Sequence, residues 1–299
     1  MPVNKLNIAV GIATTGRREV LSRTIDILAT QMRLPDRLVI CPVVPGDVDV
    51  GSLERFPAPA TVVSSPAGLA AQRNGILAAV KDSDVVVFFD DDYFPDARYL
   101  ANLEKIFLER PDVVGSTGFL LADGAQGPGL SVEQGVEILG SAPEDLGSLN
   151  EPQDWDSTYG CNMSFRLKPI VEHNVLFDEN LPLYGWQEDI DFSRRLHPYG
   201  QIVLSGMLLG VHLGIKAGRT SGVRFGYSQI ANPIYLIRKG SMPRRFASRI
   251  IWRNVAANLL RSAYPEPWID RRGRLKGNLL ALLDVIKGRI SPGRILHMR

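Results

Sequence analysis

At 299 residues, 45% hydrophobic and 22% charged, the chain has the composition of a soluble globular protein, large enough for one α/β domain or two smaller ones. Its two cysteines, Cys41 and Cys161, exclude a disulfide framework. No run approaches the roughly 18 apolar residues of a membrane-spanning helix, and the opening Met1–Leu6 lacks the apolar core of a signal peptide, so the expected location is cytoplasmic. The net charge of +2 conceals an asymmetry: residues 238–299 carry fifteen Lys or Arg against three acids, a balance of +12, which leaves −10 for the first 237 residues.

In chain order, Leu6–Thr14 reads as a first strand and Thr15-Gly16-Arg17 as the turn after it. Val20, Leu21, Ile25, Leu28 and Met32 keep helical spacing over 18–32. Arg37–Val44 gives a second strand closed by Pro45-Gly46-Asp47, and Thr61–Ser64 a short third. Gly68–Val80 reads as a helix. Strands alternating with helices predict βαβ units and a parallel sheet.

The stretch Val85-Val-Val-Phe-Phe-Asp90-Asp-Asp-Tyr-Phe-Pro-Asp96 is the most informative in the chain. Five apolar residues suit a buried strand, and three carboxylates follow at the end where open α/β sheets bind ligands. Adjacent carboxylates repel unless a cation holds them, and hard divalent ions prefer oxygen ligands. Alternation along a strand lets Asp90 and Asp92 converge while Asp91 points elsewhere. A solvated acidic turn is the alternative.

Beyond it, 96–109 has a helical pattern through Leu100, Leu103, Ile106 and Phe107, and Val113–Phe119 reads as a strand. Residues 122–157, rich in Gly, Pro, Ser and acids, read as a long excursion on the ligand face, with a helix near 132–139. Thr158–Arg166 and Phe177–Leu181 follow. Tyr184-Gly-Trp-Gln-Glu-Asp-Ile-Asp-Phe-Ser-Arg-Arg-Leu196 reads as a loop feeding a helix that starts near Glu188. Acids there are favourable at the positive helix end, a sufficient structural reason for Glu188 and Asp189 on its own.

The order of these elements is more specific than any one of them. A first strand ending Thr-Thr-Gly-Arg, a Gln-Arg-Asn helix, an apolar strand into Asp-Asp-Asp, then Gly-Trp-Gln-Glu-Asp-Ile-Asp resembles the inverting glycosyltransferases of family 2 over residues 6–215. The resemblance implies an α/β GT-A fold: a Rossmann-like mixed sheet with flanking helices. It implies a catalytic domain at 1–237 and a basic, mainly helical extension at 238–299.

It also implies a chemistry, transfer of a hexose-type sugar from a UDP-, GDP- or dTDP-linked donor to a glycan or lipid-linked hydroxyl. Mn²⁺ or Mg²⁺ on the diphosphate would offset the charge that grows on the leaving group. By this resemblance Asp92 binds the ion, Asp90 reaches the ribose or a metal-bound water, and Asp91 assists either. Thr14, Arg17, Arg73 and Asn74 line the donor pocket. Asp189 is the base, with Glu188 orienting the acceptor and Asp191 as the other acid suited to the role. Trp186 offers a face for sugar stacking or packs in the core. His212 matches a third metal ligand, or is a hydrogen-bonded core residue. Lys216, Arg219 and Arg224 would close over the diphosphate, or are surface cations. Relatives often have an acid after the second strand to contact the base, whereas this chain has Cys41-Pro-Val-Val-Pro45, with Asp47 or Asp49 as substitutes.

In the basic tail, Arg245, Arg249 and Arg253 recur every four residues among Phe246, Ile250, Ile251, Trp252, Val255 and Leu259. This cationic amphipathic pattern suits a helix lying on an anionic membrane surface, which would place the protein peripherally on the inner face of the cell membrane. A helix packed on the catalytic domain, or an oligomer contact, is the alternative. No nucleic-acid-binding motif accompanies the charge. Two other functions remain open at this stage: a nucleotidyltransferase making nucleotide sugars, for which Thr14-Thr-Gly-Arg17 is a poor phosphate loop, and a non-catalytic sugar-binding protein.

Overall fold

The computed structural model describes residues 5–144, 146–217 and 220–298. The chain forms two compact units, one of residues 1–67, 71–176 and 192–218, the other of 68–70, 177–191 and 219–299.

Among the described residues the first unit is built on nine strands: β1 Ile8–Thr14, β2 Arg37–Pro42, β3 Ala60–Val62, β4 Val85–Asp90, β5 Tyr93–Pro95, β6 Val113–Asp123, β7 Gln153–Asp154, β8 Asn162–Arg166 and β9 Gln201–His212. They form one sheet in the order β3-β2-β1-β4-β8-β6-β9-β5, with β7 on β9. The first four are parallel, β8 runs against both its neighbours, β6 and β9 are parallel, and β5 and β7 run against β9. The sheet is therefore mixed. Its helices are α1 Arg18–Leu28, α2 Val50–Glu54, α3 Leu69–Ala79, α4 Tyr99–Glu109, α5 Val132–Gly140 and α6 Leu167–Glu172, and α7 Glu188–Leu196 runs from one unit into the other.

Apolar runs form strands here because both sheet faces are covered. Ile8, Val10 and Ile12 of β1 and Val85, Val87 and Phe89 of β4 pack against Leu21, Ile25 and Leu28 of α1 and Leu100, Leu103 and Phe107 of α4. Each such buried side chain contributes roughly 1.5–3 kcal/mol. On the other face α3 approaches β1 so closely that a Cβ on Gly11 would lie 2.4 Å from Ile76 Cγ2.

Register then builds one edge of the sheet. Ala13 pairs with Asp90, so β1 and β4 end together. His212, at the end of β9, pairs with Tyr93 on one side and Asp123 on the other. Three departures from the sequence reading matter. The strand read as ending at Phe119 continues to Asp123 through register shifts at Gly118/Phe119 and Leu120/Ala122. β5 and β9 carry no alternation that marks them. The excursion at 122–157 is partly core, because Leu130, Val132, Ile138 and Leu139 pack on Phe94, Val211 and Leu213; α5 itself is closed by a Ser131–Gln134 capping box.

The second unit contains α8 Gly222–Lys239, α9 Arg244–Arg261 and α10 Arg271–Ile286. Glycines set the α8–α10 distance: a Cβ on Gly226 would meet the Arg274 carbonyl oxygen at 2.1 Å, and one on Gly277 the Val223 carbonyl oxygen at 2.1 Å. A buried polar network ties in α9, with Asn258 Nδ2 donating to Gln229 Oε1 at 2.8 Å and Asn278 Oδ1 at 2.9 Å. The apolar side of α9 differs from the sequence reading. Phe246, Ile251 and Val255 pack inside the unit, with Ile250 buried. Trp252 and Leu259 are instead exposed, on the side that carries Arg245, Arg249 and Arg253.

Candidate active site

The edge built by β1, β4, β6 and β9 gathers four carboxylates, two arginines and one histidine. Asp90 is the last residue of β4, and its N–H donates to the Cys161 carbonyl at 3.1 Å. The triplet then divides. Asp91 turns to β1, accepting from Thr14 Oγ1 at 2.7 Å and Arg17 Nη1 at 2.8 Å. Asp90 and Asp92 turn to His212, whose Nε2 lies 3.9 Å from Asp90 Oδ2 and 3.4 Å from Asp92 Oδ1.

The surroundings hold these groups from behind. Asp92 Oδ2 accepts the Ile215 N–H at 2.7 Å. Arg73, buried on α3, donates to Asp90 Oδ1 at 3.2 Å and the Gly160 carbonyl at 2.8 Å. Asn74 follows it, half-buried. Arg17 also donates to the carbonyls of Ile215 at 2.9 Å and Ala217 at 3.0 Å, tying the segment after β9 to the acids. His212 Nδ1 is 2.8 Å from Asp123 Oδ1, whose carboxylate also accepts from the Ala125 N–H at 3.0 Å and Tyr159 Oη at 3.2 Å. Nδ1 thus faces Asp123, and Nε2 faces the two acids of the triplet.

Burial and charge compete here. Burial pushes Asp90 up, and pushes Asp91 to about 7 even with Arg17 against it. Burial also works against ionisation of Asp92, but neighbouring His212 and Arg17 outweigh it and leave the carboxyl below its usual range. Burial would depress His212, yet Asp123, Asp92 and Asp90 raise it to about 10. Without a metal the site thus holds an imidazolium between carboxylates, and a divalent ion binding there must displace that proton.

The residues fit such an ion. Asp90, Asp92 and His212 each offer one ligand atom, all within 4.8 Å of one another. Adjacent ligands around an ion that binds oxygen at about 2.1 Å lie roughly 3 Å apart, so small side-chain rotations suffice. Asp92 Oδ1 is buried, and beside it lies His212 Nε2 at 3.4 Å, another ligand atom of the set.

The remaining sequence-predicted residues have the following partners. Asp47 holds the turn after β2 by accepting from the N–H groups of Gly16 at 2.9 Å and Val44 at 3.2 Å. Asp49 pairs with Arg18 at 3.0 Å. Lys216 donates to the carbonyls of Gly124 at 2.9 Å and Ala125 at 3.2 Å, and Arg224 to that of Met298. Arg219 lies outside the described residues. Glu188, Asp189 and Asp191 occupy the first turn of α7. Leading into it, Leu183, Gly185 and Gln187 all have positive φ, at 60°, 62° and 73°, costly for the two non-glycines. Trp186 is half-buried, its carbonyl accepts from Asn232 Nδ2 at 2.9 Å, and its ring meets Phe225 edge-on. Asp191 is buried and salt-bridged to Lys239 at 2.7 Å, whereas Asp189 is partly exposed. Asp123 escaped the sequence reading. Its signal was an acid ending an apolar run, Phe119-Leu-Leu-Ala-Asp123, as Asp90 ends another.

Comparison with known proteins bears on the fold. No family model and no curated protein sequence matches the chain. Solved structures do. S. aureus TarS residues 1–349 in complex with UDP-GlcNAc matches with a TM-score of 0.57 at 13% identity, over 97% of this chain and 83% of that one. The mannosyltransferase PcManGT of Pyrobaculum calidifontis, in complex with GDP-Man and Mn²⁺, matches with a TM-score of 0.56 at 13% identity, over 99% and 86%. Glucosyl-3-phosphoglycerate synthase from Mycobacterium tuberculosis matches with 0.51 at 17% identity, over 80% and 81%. Against the longer S. aureus TarS chain, this chain spans 42% of its length. The sheet and its helices are those of the GT-A fold.

Proposed function

We propose that the chain transfers a sugar from a nucleoside diphosphate sugar to a glycan or lipid-linked hydroxyl, with inversion at the sugar carbon. The observation that carries this reading is the convergence of Asp90, Asp92 and His212 where β4 and β9 end. Similar folds hold UDP-GlcNAc, or GDP-Man with Mn²⁺. Asp90, Asp92 and His212 would hold the divalent ion, and an imidazole among the ligands favours Mn²⁺ over Mg²⁺. Bound there, the ion supplies a positive charge against the diphosphate leaving group.

The chain's own residues do the rest. Arg17 and Arg73 brace Asp91 and Asp90 and, with Thr14 and Asn74, are the residues assigned to the donor pocket. The acceptor hydroxyl must lose a proton as it attacks, and a carboxylate serves only if substrate reaches it. Asp191, buried and paired with Lys239, is poorly suited. Asp189, partly exposed, takes the role, with Glu188 orienting the acceptor and Trp186 offering a stacking face. The test is turnover of a panel of UDP-, GDP- and dTDP-sugars with Mn²⁺. Asp189→Asn is expected to lower kcat by about 10²–10⁴ with donor affinity intact. Unchanged kcat would remove Asp189 from the mechanism.

A further inference from the structure

The second unit carries an exposed surface made of residues to which the proposed transfer assigns no role. On α9 the solvent side presents Arg245, Arg249, Trp252 and Arg253 and then Leu259 and Leu260. On α10 it presents Arg272 and Lys276 and then Leu279, Leu282, Leu283 and Ile286, one face at helical spacing. Trp252 is 70% exposed, Leu260 77%, Ile286 81%, and Tyr264 in the connecting loop 90%. The two helices adjoin where Arg272 Nε donates to the Ser262 carbonyl at 3.1 Å. There Ser262, Arg272, Lys276, Leu279 and Leu283 line a shallow groove of about 380 Å³.

The charge on this surface is not neutralised within the unit. Glu266 is held by Arg261 at 2.7 Å and Arg271 at 2.9 Å, and buried Asp284 by Arg289 at 2.7 Å and by Arg294. Asp270 accepts the Gly273 N–H at 2.7 Å. All three acids of residues 238–299 are thereby engaged. Arg245, Arg249, Arg253, Lys276 and Lys287 have no carboxylate partner among the described residues.

We propose that this face of α9 and α10 docks the protein on an anionic lipid bilayer. Its cations would meet headgroup phosphates while Trp252, Leu260, Tyr264 and Ile286 enter the interface. The charge argument selects this occupant. A second copy would bring the same cationic face against itself, and a nucleic acid would leave the leucines and Ile286 without an apolar partner. A bilayer surface satisfies both components. No helix among the described residues is long and apolar enough to cross a membrane.

The experiment is co-sedimentation of the full chain with vesicles of phosphatidylcholine alone, or with about a third phosphatidylglycerol, near physiological salt. Binding is expected only to the anionic vesicles. Arg245→Glu/Arg249→Glu and Leu260→Ser/Ile286→Ser, all at exposed positions, are each expected to lower it at least about tenfold with unchanged Tm. Three results would overturn the proposal. One is no binding to anionic vesicles by a folded chain. Another is undiminished binding by Leu260→Ser/Ile286→Ser, which marks polyanion attraction alone. The third is a concentration-dependent dimer that this variant abolishes, which assigns the face to a second copy.

Discussion

Each unit of this protein buries a cluster of charge, and the two clusters are balanced differently. In the second unit Lys239 lies between Asp178 at 2.6 Å and Asp191 at 2.7 Å, with Tyr235 donating to Asp178 at 2.8 Å. Cation and hydrogen bonds overcome burial there and hold Asp178 at about 2. In the first unit Asp90, Asp91, Asp92 and Asp123 outnumber Arg17 and Arg73, and the balance falls on His212, raised to about 10, and Asp91, raised to about 7. A cluster that closes by its own ion pairs has a structural role. One that retains protons on a histidine and a carboxyl is the arrangement expected of the proposed cation site.

The comparison breaks most easily at its centre. Asp92→Ala is expected to abolish metal-dependent donor binding and lower turnover by about 10²–10³ with at most a modest fall in Tm, because the contacts it loses to His212, Arg17 and the Ile215 N–H are set against relief of crowding among the acids. Activity assays beside thermal melts read both. Lys239→Ala should do the reverse. Stripping the cation from buried Asp191 and half-buried Asp178 is expected to cost up to about 3 kcal/mol in denaturant unfolding, with metal affinity unchanged in whatever remains folded. If Lys239→Ala proved neutral, the second cluster would not be the closed structural pair described above.

Smaller changes sharpen the contrast. Asp123→Asn keeps the shape beside His212 Nδ1 but removes the charge, and should weaken Mn²⁺ binding about 10–100-fold by calorimetry. An equal loss from Arg98→Ala, whose side chain pairs with Asp96 and not with the site's acids, would point to a general effect instead. Acid titration of the fold is the mildest test. Asp178 ionises more readily folded, at about 2, than at its ordinary 3.8, so its contribution is complete above about pH 4 and falls away as pH drops toward 2. Asp178→Asn should flatten the decline of Tm in that window.

Much of the first unit was legible because each signal was local. Ile8–Thr14 and Val85–Asp90 are apolar runs ended by polar residues, and the separation of Asp91 from Asp90 and Asp92 follows the expected alternation although β4 ends at Asp90 and a turn carries the other two. What was not legible depends on partners far away in sequence. Asp123 meets His212 across 89 residues, and Lys239 meets Asp191 across 48. β9 hid because Ser205 and Gly206 interrupt its apolar run at the place where its register against β6 shifts. For α9, spacing identified an amphipathic helix, but only packing decides which apolar residues face inward. Phe246, Ile251 and Val255 pack inside, and Trp252 and Leu259 stay with the arginines.

The central claim is that Asp90, Asp92 and His212 form one site for a divalent ion that a nucleoside diphosphate completes. Titration of Mn²⁺ into the protein, alone and with UDP or GDP, followed by electron paramagnetic resonance, reads it directly. The account predicts one bound ion, tighter when one of the nucleotides is present, released protons at neutral pH as His212 gives up its charge, and loss of binding in Asp92→Ala and His212→Ala. Nucleotide binding that is equally tight in the presence of a chelator, or Mn²⁺ retained by both variants, would contradict it.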